Sequence, residues 1–155
     1  MVSLRNGSVE VGSGALDTSG RATIELSGTA LSPGTHTLGI VYFGDAGFAS
    51  STDTVTVVVT KVRTTIRAKS SKATYARSQA PRLKVDVGPT AYVDGTVTVR
   101  LGGRTLKSHV RLVKGKATIK LPKAPRTKGM HRLVVVYEGG ATTLGATTHA
   151  RYRIR

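Results

Sequence analysis

Residues 20–26 read Gly-Arg-Ala-Thr-Ile-Glu-Leu, and residues 115–121 read Gly-Lys-Ala-Thr-Ile-Lys-Leu. The same displacement of 95 residues places His36 on His131 without a gap. A match that keeps one register over this length of chain indicates an internal duplication. The sequence therefore predicts two copies of one structural unit in tandem.

The two copies are unequal in length. Under the displacement of 95 residues Met1 falls on Thr96, so residues 62–95 have no counterpart in the first copy. We divide the chain into an incomplete repeat, residues 1–60, and a complete repeat, residues 61–155. The incomplete repeat is expected to leave strand edges unpaired and apolar residues exposed. Three explanations stay open: the chain is a fragment, the first copy borrows strands from another chain in a dimer, or it packs against its neighbour.

The second copy has the pattern of short β-strands. Leu83, Val85 and Val87 alternate with Lys84 and Asp86, which predicts a strand with one apolar face. Turn-forming pairs recur about every ten residues and no helical period is present. The hydrophobic fraction of 39% is sufficient for a core, although the chain contains no tryptophan and no cysteine. The predicted fold is all-β, with two tandem immunoglobulin-like β-sandwiches of which the first lacks its N-terminal strands.

Three stretches of the first copy resemble the bacterial immunoglobulin-like group 3 repeat. They are Leu-Asp-Thr-Ser-Gly-Arg-Ala-Thr-Ile at 16–24, Leu-Ser-Pro-Gly-Thr-His-Thr-Leu at 31–38, and Val-Tyr-Phe-Gly-Asp-Ala-Gly-Phe at 41–48. The second copy departs from this pattern, since Glu-Gly-Gly at 138–140 replaces Phe-Gly-Asp at 43–45. The resemblance implies a large secreted or wall-attached bacterial protein that carries the repeat in a tandem array. It implies no particular ligand, because this fold serves many functions.

The positive charge is concentrated in the second copy. The chain has a formal net charge of +16, of which residues 1–60 contribute −3 and residues 61–155 contribute +19. Clustered cations attract phosphate polymers and other polyanions. The candidate polyanion-binding residues are Arg100, Arg104, Lys107, Arg111, Lys116, Lys120, Arg151, Arg153 and Arg155. The expected partners are anionic cell-wall polymer or acidic glycan, and nucleic acid only non-specifically, because no helix is available for a groove and few aromatics for stacking.

Catalytic and metal-binding interpretations find little support. Residues 61–155 contain three acidic side chains, and the chain has neither a phosphate-binding loop nor a His-Glu-x-x-His motif. His36 and His131 share one repeat position, which is typical of an architectural role. For Asp45, capping of a turn is favoured over a calcium site shared with Asp53, because such a site would not recur in the second copy. We expect no enzymatic activity, no cofactor and no metal site.

Neither a membrane-spanning run of 18 apolar residues nor a leader sequence after Met1 is present. The leading hypothesis is a non-catalytic structural module, a stalk or spacer repeat at the C-terminal end of a secreted or cell-surface bacterial protein. The alternative is an adhesion module that binds teichoic acid, acidic glycan or extracellular DNA through the basic second copy.

Overall fold

The computed structural model describes residues 1–89, 93–123 and 127–155. The chain divides into two compact units, Met1–Thr60 and Lys61–Arg155. The first unit contains four strands: β1 (Val2–Asn6), β2 (Val9–Gly14), β3 (Gly34–Tyr42) and β4 (Ser51–Val59). The second contains β5 (Thr65–Ser70), β6 (Thr74–Tyr75), β7 (Arg82–Gly88), β8 (Thr96–Leu101), β9 (Arg104–Arg111), β10 (Lys116–Lys120), β11 (Gly129–Tyr137) and β12 (Ala146–Ile154). The predicted all-β class is confirmed.

The second unit is a sandwich of two sheets. One sheet has five strands in the order β6-β12-β11-β8-β9, and the other has three strands in the order β10-β7-β5. All neighbouring strands are antiparallel except β6 and β12, which pair in parallel. Between the sheets lies one continuous core of valine, leucine, isoleucine and tyrosine side chains.

The predicted alternation of β7 is confirmed. Leu83, Val85 and Val87 are buried in the core, while Lys84 and Asp86 face solvent. Because successive side chains of a strand point to opposite faces, one strand supplies both a core layer and a charged surface. The same rule places Lys116 and Lys120 of β10, and Arg151 and Arg153 of β12, on the outside of the sandwich.

The displacement of 95 residues relates each of the four strands of the first unit to one strand of the second unit. β3 falls on β11 and β4 falls on β12 with identical bounds. The strand order β2-β1-β3-β4 of the first unit matches β9-β8-β11-β12, read from the opposite end. Leu38 on β3 and its counterpart Leu133 on β11 are both fully buried. The first unit therefore reproduces four of the five strands of the larger sheet.

The second sheet is where the two units differ. In the second unit β10 is held by its antiparallel ladder with β7, in which Ile119 lies opposite Leu83. The first unit has no counterpart of β7, and residues 21–26 form no strand. They lie against β2 instead. The Ile24 side chain is so close to Gly12 of β2 that a Cβ atom added to this glycine would lie 2.7 Å from the Cγ2 of Ile24.

This difference leaves apolar surface uncovered in the first unit. Val55 on β4 is 39% exposed, whereas its counterpart Ala150 on β12 is 5% exposed. Phe48 is also largely exposed, whereas its counterpart Thr143 is buried. These exposed side chains agree with the expected exposure of apolar residues, while the interpretation of the first unit as a repeat without its opening strands stays a prediction. Borrowing of strands from a second chain stays a prediction.

Candidate functional site

The nine predicted polyanion-binding residues lie on different parts of the second unit. Arg100, Arg151 and Arg153 are exposed on the outer face of the five-stranded sheet. Lys116 and Lys120 are exposed on the three-stranded sheet, which forms the opposite side of the sandwich. Arg104, Lys107 and Arg111 belong to the edge strand β9, and Arg155 follows β12. The structure therefore does not bring all nine residues together, but divides them among separate parts of the second unit.

The outer face of the five-stranded sheet carries Arg100, Arg132, Arg151 and Arg153, which we call the arginine face. Arg132 lies directly opposite Arg151 in the ladder between β11 and β12. The backbone N–H of Arg153 points away from β11 and donates to the carbonyl of Ala73 at 2.9 Å. The direction of the backbone N–H alternates from residue to residue along a strand, so the N–H of Arg151, two residues earlier, also points away from β11. Arg151 and Arg132 therefore form a non-hydrogen-bonded pair, the type in which opposite side chains stand closest. Like charges in this position lower stability unless an anion lies between them.

A cleft of about 410 Å³ lies beside this pair. It is lined by Met130, His131, Arg132, His149, Ala150 and Arg151. Arg132 was absent from the sequence prediction, because its position opposite Arg151 depends on the register of the hairpin and not on spacing along either strand. The alternation of Arg132 with Leu133 is the signal that marks it as an outward-facing residue.

The outer face of the three-stranded sheet has a different composition. It carries Arg67, Lys69, Arg82, Lys84, Lys116 and Lys120 around the single carboxylate Asp86, and we call it the lysine face. Lys69 lies opposite Lys84, and Arg82 lies opposite Lys120. Lys116 and Asp86 are 3.7 Å apart and both are exposed, so this ion pair contributes little to stability.

Glu138 is the acidic residue beside the arginine face. Its carboxylate accepts hydrogen bonds from the hydroxyls of Thr96 at 2.6 Å and Thr98 at 2.5 Å. These two bonds lower the pKa of Glu138, and the charges of His109 and Arg100 act in the same direction. Glu138 is thus engaged at the β8 end of the face, which leaves the pair of Arg132 and Arg151 at some distance along the strands from that carboxylate.

The family comparison bears on the first unit. Residues 1–60 match the family described as Bacterial Ig-like domain (group 3). They are a bacterial Ig-like domain. No curated protein matches the chain. The second unit lies outside the matched residues, and it shares the ladder of four strands with the first unit.

Ig-like domains of this kind are generally non-enzymatic modules, and they typically occur in extracellular or surface proteins. Within residues 1–89, 93–123 and 127–155 no three histidine, aspartate or glutamate side chains are grouped for metal binding. In the same part of the chain no helix is present that is long and apolar enough to cross a membrane.

The shared histidine has the same contact in both Ig-like units. The Nε2 of His36 lies 2.7 Å from the carbonyl oxygen of Ser32, and that of His131 lies 3.0 Å from the carbonyl of Thr127. In the second unit His131 also stacks on Tyr152, with ring centroids 5.5 Å apart. These contacts tie the loop before β3 or β11 to the strand, which supports the architectural interpretation.

Asp45 caps a turn in the first Ig-like domain. Its carboxylate accepts hydrogen bonds from the Tyr42 hydroxyl at 2.6 Å and from the backbone N–H groups of Gly47 and Phe48. The Tyr42 hydroxyl is the largest cause of the lowered pKa of Asp45. The Oδ1 of Asp53 accepts from the N–H of Thr54. The turn-capping prediction for Asp45 is confirmed by these bonds.

Proposed function

We propose that this chain is a stalk or spacer module of a secreted or cell-surface bacterial protein. Its membership of a non-catalytic domain family supports this function, and so does its tandem organisation. The observation that carries the proposal is the way in which the second unit connects its first and last segments.

The opening segment of the second unit pairs in parallel with its closing segment. Val62 forms a parallel bridge with Thr143, and β6 pairs in parallel with β12. The Arg153 N–H donates to the Ala73 carbonyl at 2.9 Å, and the Arg155 N–H donates to the Tyr75 carbonyl at 3.1 Å. Tension between Lys61 and Arg155 would load these bonds together in shear, whereas an antiparallel terminal pair would open one bond at a time. A spacer that keeps its shape under load benefits from this arrangement.

Force spectroscopy of the full chain tests this role. Arg153→Pro removes the N–H that donates to Ala73, and proline cannot replace that donor. Arg151→Pro is a matched control because it removes the same charge at an N–H on the same side of β12, outside the β6 pair. We expect Arg153→Pro to lower the unfolding force of the second unit clearly more than Arg151→Pro does. Equal unfolding forces in the two variants would contradict the proposal.

A second candidate function is binding of an anionic wall polymer by the arginine face. The arginine pair of β11 and β12 supports it, because two arginines at directly opposite positions of a ladder can both bond to one phosphate or carboxylate. The lysine face has a comparable charge but a carboxylate at its centre and flexible point charges around it. A comparison of the two faces therefore distinguishes an effect of the paired arginines from an effect of total positive charge.

The test compares two charge-matched variants of the full chain. R132Q/R151Q/R153Q removes three charges from the arginine face, and K69Q/K84Q/K116Q removes three from the lysine face. We expect retention on purified teichoic acid to fall sharply in the first variant at about 150 mM salt, where surface charges separated by more than ~8 Å are screened. Equal losses in both variants would mean that retention depends on net charge alone and not on the arginine face.

A further inference from the structure

A cleft of about 590 Å³ lies in the second unit where β10 ends and β7 begins. Four exposed cationic side chains line it: Lys72, Arg82, Lys120 and Lys123. None of its described lining residues is a carboxylate. A concave site with several cations and no counter-charge has the electrostatics of an anion-binding pocket.

The backbone beneath these cations is fixed by the hydroxyl of Tyr75, a residue that is only 4% exposed. That hydroxyl accepts hydrogen bonds from the N–H groups of Lys72 at 3.1 Å and Arg82 at 3.2 Å. On the other side, the Leu121 N–H donates to the Pro81 carbonyl at 2.9 Å, next to Lys120. Three chain segments that carry cations are thereby tied to one another. Such preorganisation reduces the entropy that a ligand must overcome on binding.

The placement of the cations is unfavourable without a ligand. Arg82 lies directly opposite Lys120 in the ladder between β7 and β10, and like charges in that position destabilise a sheet. The surroundings also favour negative charge. Burial raises the pKa of Tyr75, but hydrogen bonds from Ser70 and from the backbone of Arg82 and Lys72, with the charge of Lys72, outweigh burial and lower it.

The remaining lining residues indicate what kind of molecule carries the anion. Ser71, Ser78 and Gln79 offer neutral polar groups, and they stand beside the apolar side chains of Leu121 and Pro122. A sugar ring presents the matching mixture of hydroxyl groups and C–H surfaces. Tyr75 is the aromatic residue among the described lining residues, and because it is buried, they offer no exposed ring on which a nucleobase could stack.

We propose that this cleft binds the anionic group of a saccharide, a phosphate or carboxylate attached to a sugar ring. The proposal refines the polyanion-binding candidate, on which it rests, and assigns recognition of a single acidic sugar to a site outside the arginine face. Lys72, Arg82, Lys120 and Lys123 neutralise the anion. Ser71, Ser78 and Gln79 contact the sugar hydroxyls.

An NMR titration of the full chain with glucose 6-phosphate tests this site, with glucose and inorganic phosphate as separate arms. We expect glucose 6-phosphate to shift the amide signals of Lys72, Gln79 and Leu121 and to bind more tightly than either fragment. Equal affinity for inorganic phosphate would overturn the saccharide assignment, and equal affinity for glucose would overturn the anion assignment. Absence of binding to glucose 6-phosphate and to glucuronate would overturn the site itself.

Charge-matched variants locate the binding. K72Q/K120Q/K123Q removes three cations from the cleft, and we expect it to weaken glucose 6-phosphate binding about tenfold or more, which corresponds to the loss of charge-assisted hydrogen bonds. K69Q/K84Q/K116Q removes the same charge from residues that do not line the cleft. It is expected to change affinity by less than about twofold, since an exposed charge that makes no direct contact with the ligand contributes little at physiological salt. Equal weakening by both would overturn the proposal. R132Q/R151Q/R153Q tests the arginine face and the cleft separately. If this variant loses retention on teichoic acid but still binds glucose 6-phosphate, the polymer binds at the arginine face and the sugar phosphate binds at the cleft.

Discussion

Residues 21–25 and residues 116–120 are nearly the same in sequence, and they adopt different structures. The second stretch is strand β10, paired along its whole length with β7, and Ile119 within it is 2% exposed. The first stretch forms no strand, and Ile24 is only half-buried. Strand propensity measures how well a side chain fits a pleated and partly buried surface, so it has effect only where a neighbouring strand provides that surface. The partner strand, and not the local sequence, decides the outcome here.

Truncation of the repeated isoleucine in each copy is expected to have the largest effect on this comparison. Ile119→Ala should lower the free energy of unfolding of the second unit by about 2–5 kcal/mol, because it leaves a cavity in a closed core. Ile24→Ala should cost the first unit about 1 kcal/mol or less, because that side chain is already partly in water. Urea unfolding followed by two-dimensional NMR reports the two units separately.

Leu38→Ala and Leu133→Ala provide the control. Both leucines are fully buried on the shared sheet, so the two losses should be similar. Equal losses of unfolding free energy in Ile24→Ala and Ile119→Ala would show that Ile24 packs in a closed core. That result would contradict the conclusion that the first unit has no strand that covers residues 21–26.

The repeated tyrosine gives the next largest expected difference. The Tyr137 hydroxyl donates to the carbonyl of Asp94 at 2.7 Å and lies 2.6 Å from the hydroxyl of the buried Thr143. Tyr137→Phe leaves these groups without that partner and should cost about 1–3 kcal/mol. Its counterpart Tyr42 bonds to the exposed carboxylate of Asp45, which water can solvate, so Tyr42→Phe should cost about 0.5–1 kcal/mol.

Thermal unfolding of the two variants by NMR measures both costs. The comparison would be contradicted by a larger loss in the first unit than in the second. Asp45→Asn is the companion variant, since it keeps the shape of the Tyr42 partner and removes its charge.

The pH dependence of the second unit is expected to show the smallest effect. The pKa of Glu138 is lowered in the folded state by hydrogen bonds from Thr96 and Thr98. A depressed folded-state pKa gives stability that is fully present above the unfolded value of about 4.3 and is lost as the pH falls through the folded pKa. Glu138→Gln should therefore remove part of the acid sensitivity of the second unit below about pH 4.3. Phe43 occupies this position in the first unit. There the hydroxyl of Ser3, the counterpart of Thr98, donates to the carboxylate of Glu10 at 2.7 Å and lowers the pKa of Glu10.

Stability curves of the full chain and of Glu138→Gln between neutral and acid pH check this expectation. The two proteins should differ at neutral pH and converge in acid. Parallel curves over the whole range would assign no role to the bonds from Thr96 and Thr98.

The features that were predictable from the amino-acid sequence are those that repeat or alternate. The shift of 95 residues anticipates the shared ladder, and the alternation of Leu83, Val85 and Val87 anticipates β7. The two-residue strand β6 gave no such signal, because Thr74–Tyr75 lies in a polar segment and is a strand only by pairing with β12. Short strands of this kind depend on tertiary contacts that no local pattern records.

The grouping of the basic residues was less predictable. Counting cations along the chain identified Arg151 and Arg153 but not the partner Arg132, which the register of β11 and β12 places opposite Arg151. It also joined Lys116 and Lys120 to residues on the opposite side of the sandwich. Net charge is a property of the chain, whereas a binding surface depends on sheet order and register.

Amide hydrogen exchange in a hybrid chain tests the central claim most directly. The hybrid carries a second copy of residues 62–95 joined ahead of Met1, as residue 95 precedes Thr96 in the complete unit, and a matched hybrid carries Val85→Pro in that added copy. In the original chain we expect the amides of residues 21–25 to exchange rapidly and those of residues 116–120 to be protected. In the hybrid, residues 21–25 should become protected, and the proline version should not protect them. Protection of residues 21–25 in the original chain, or none in the hybrid, would contradict the conclusion that a partner strand decides the structure of the repeated sequence.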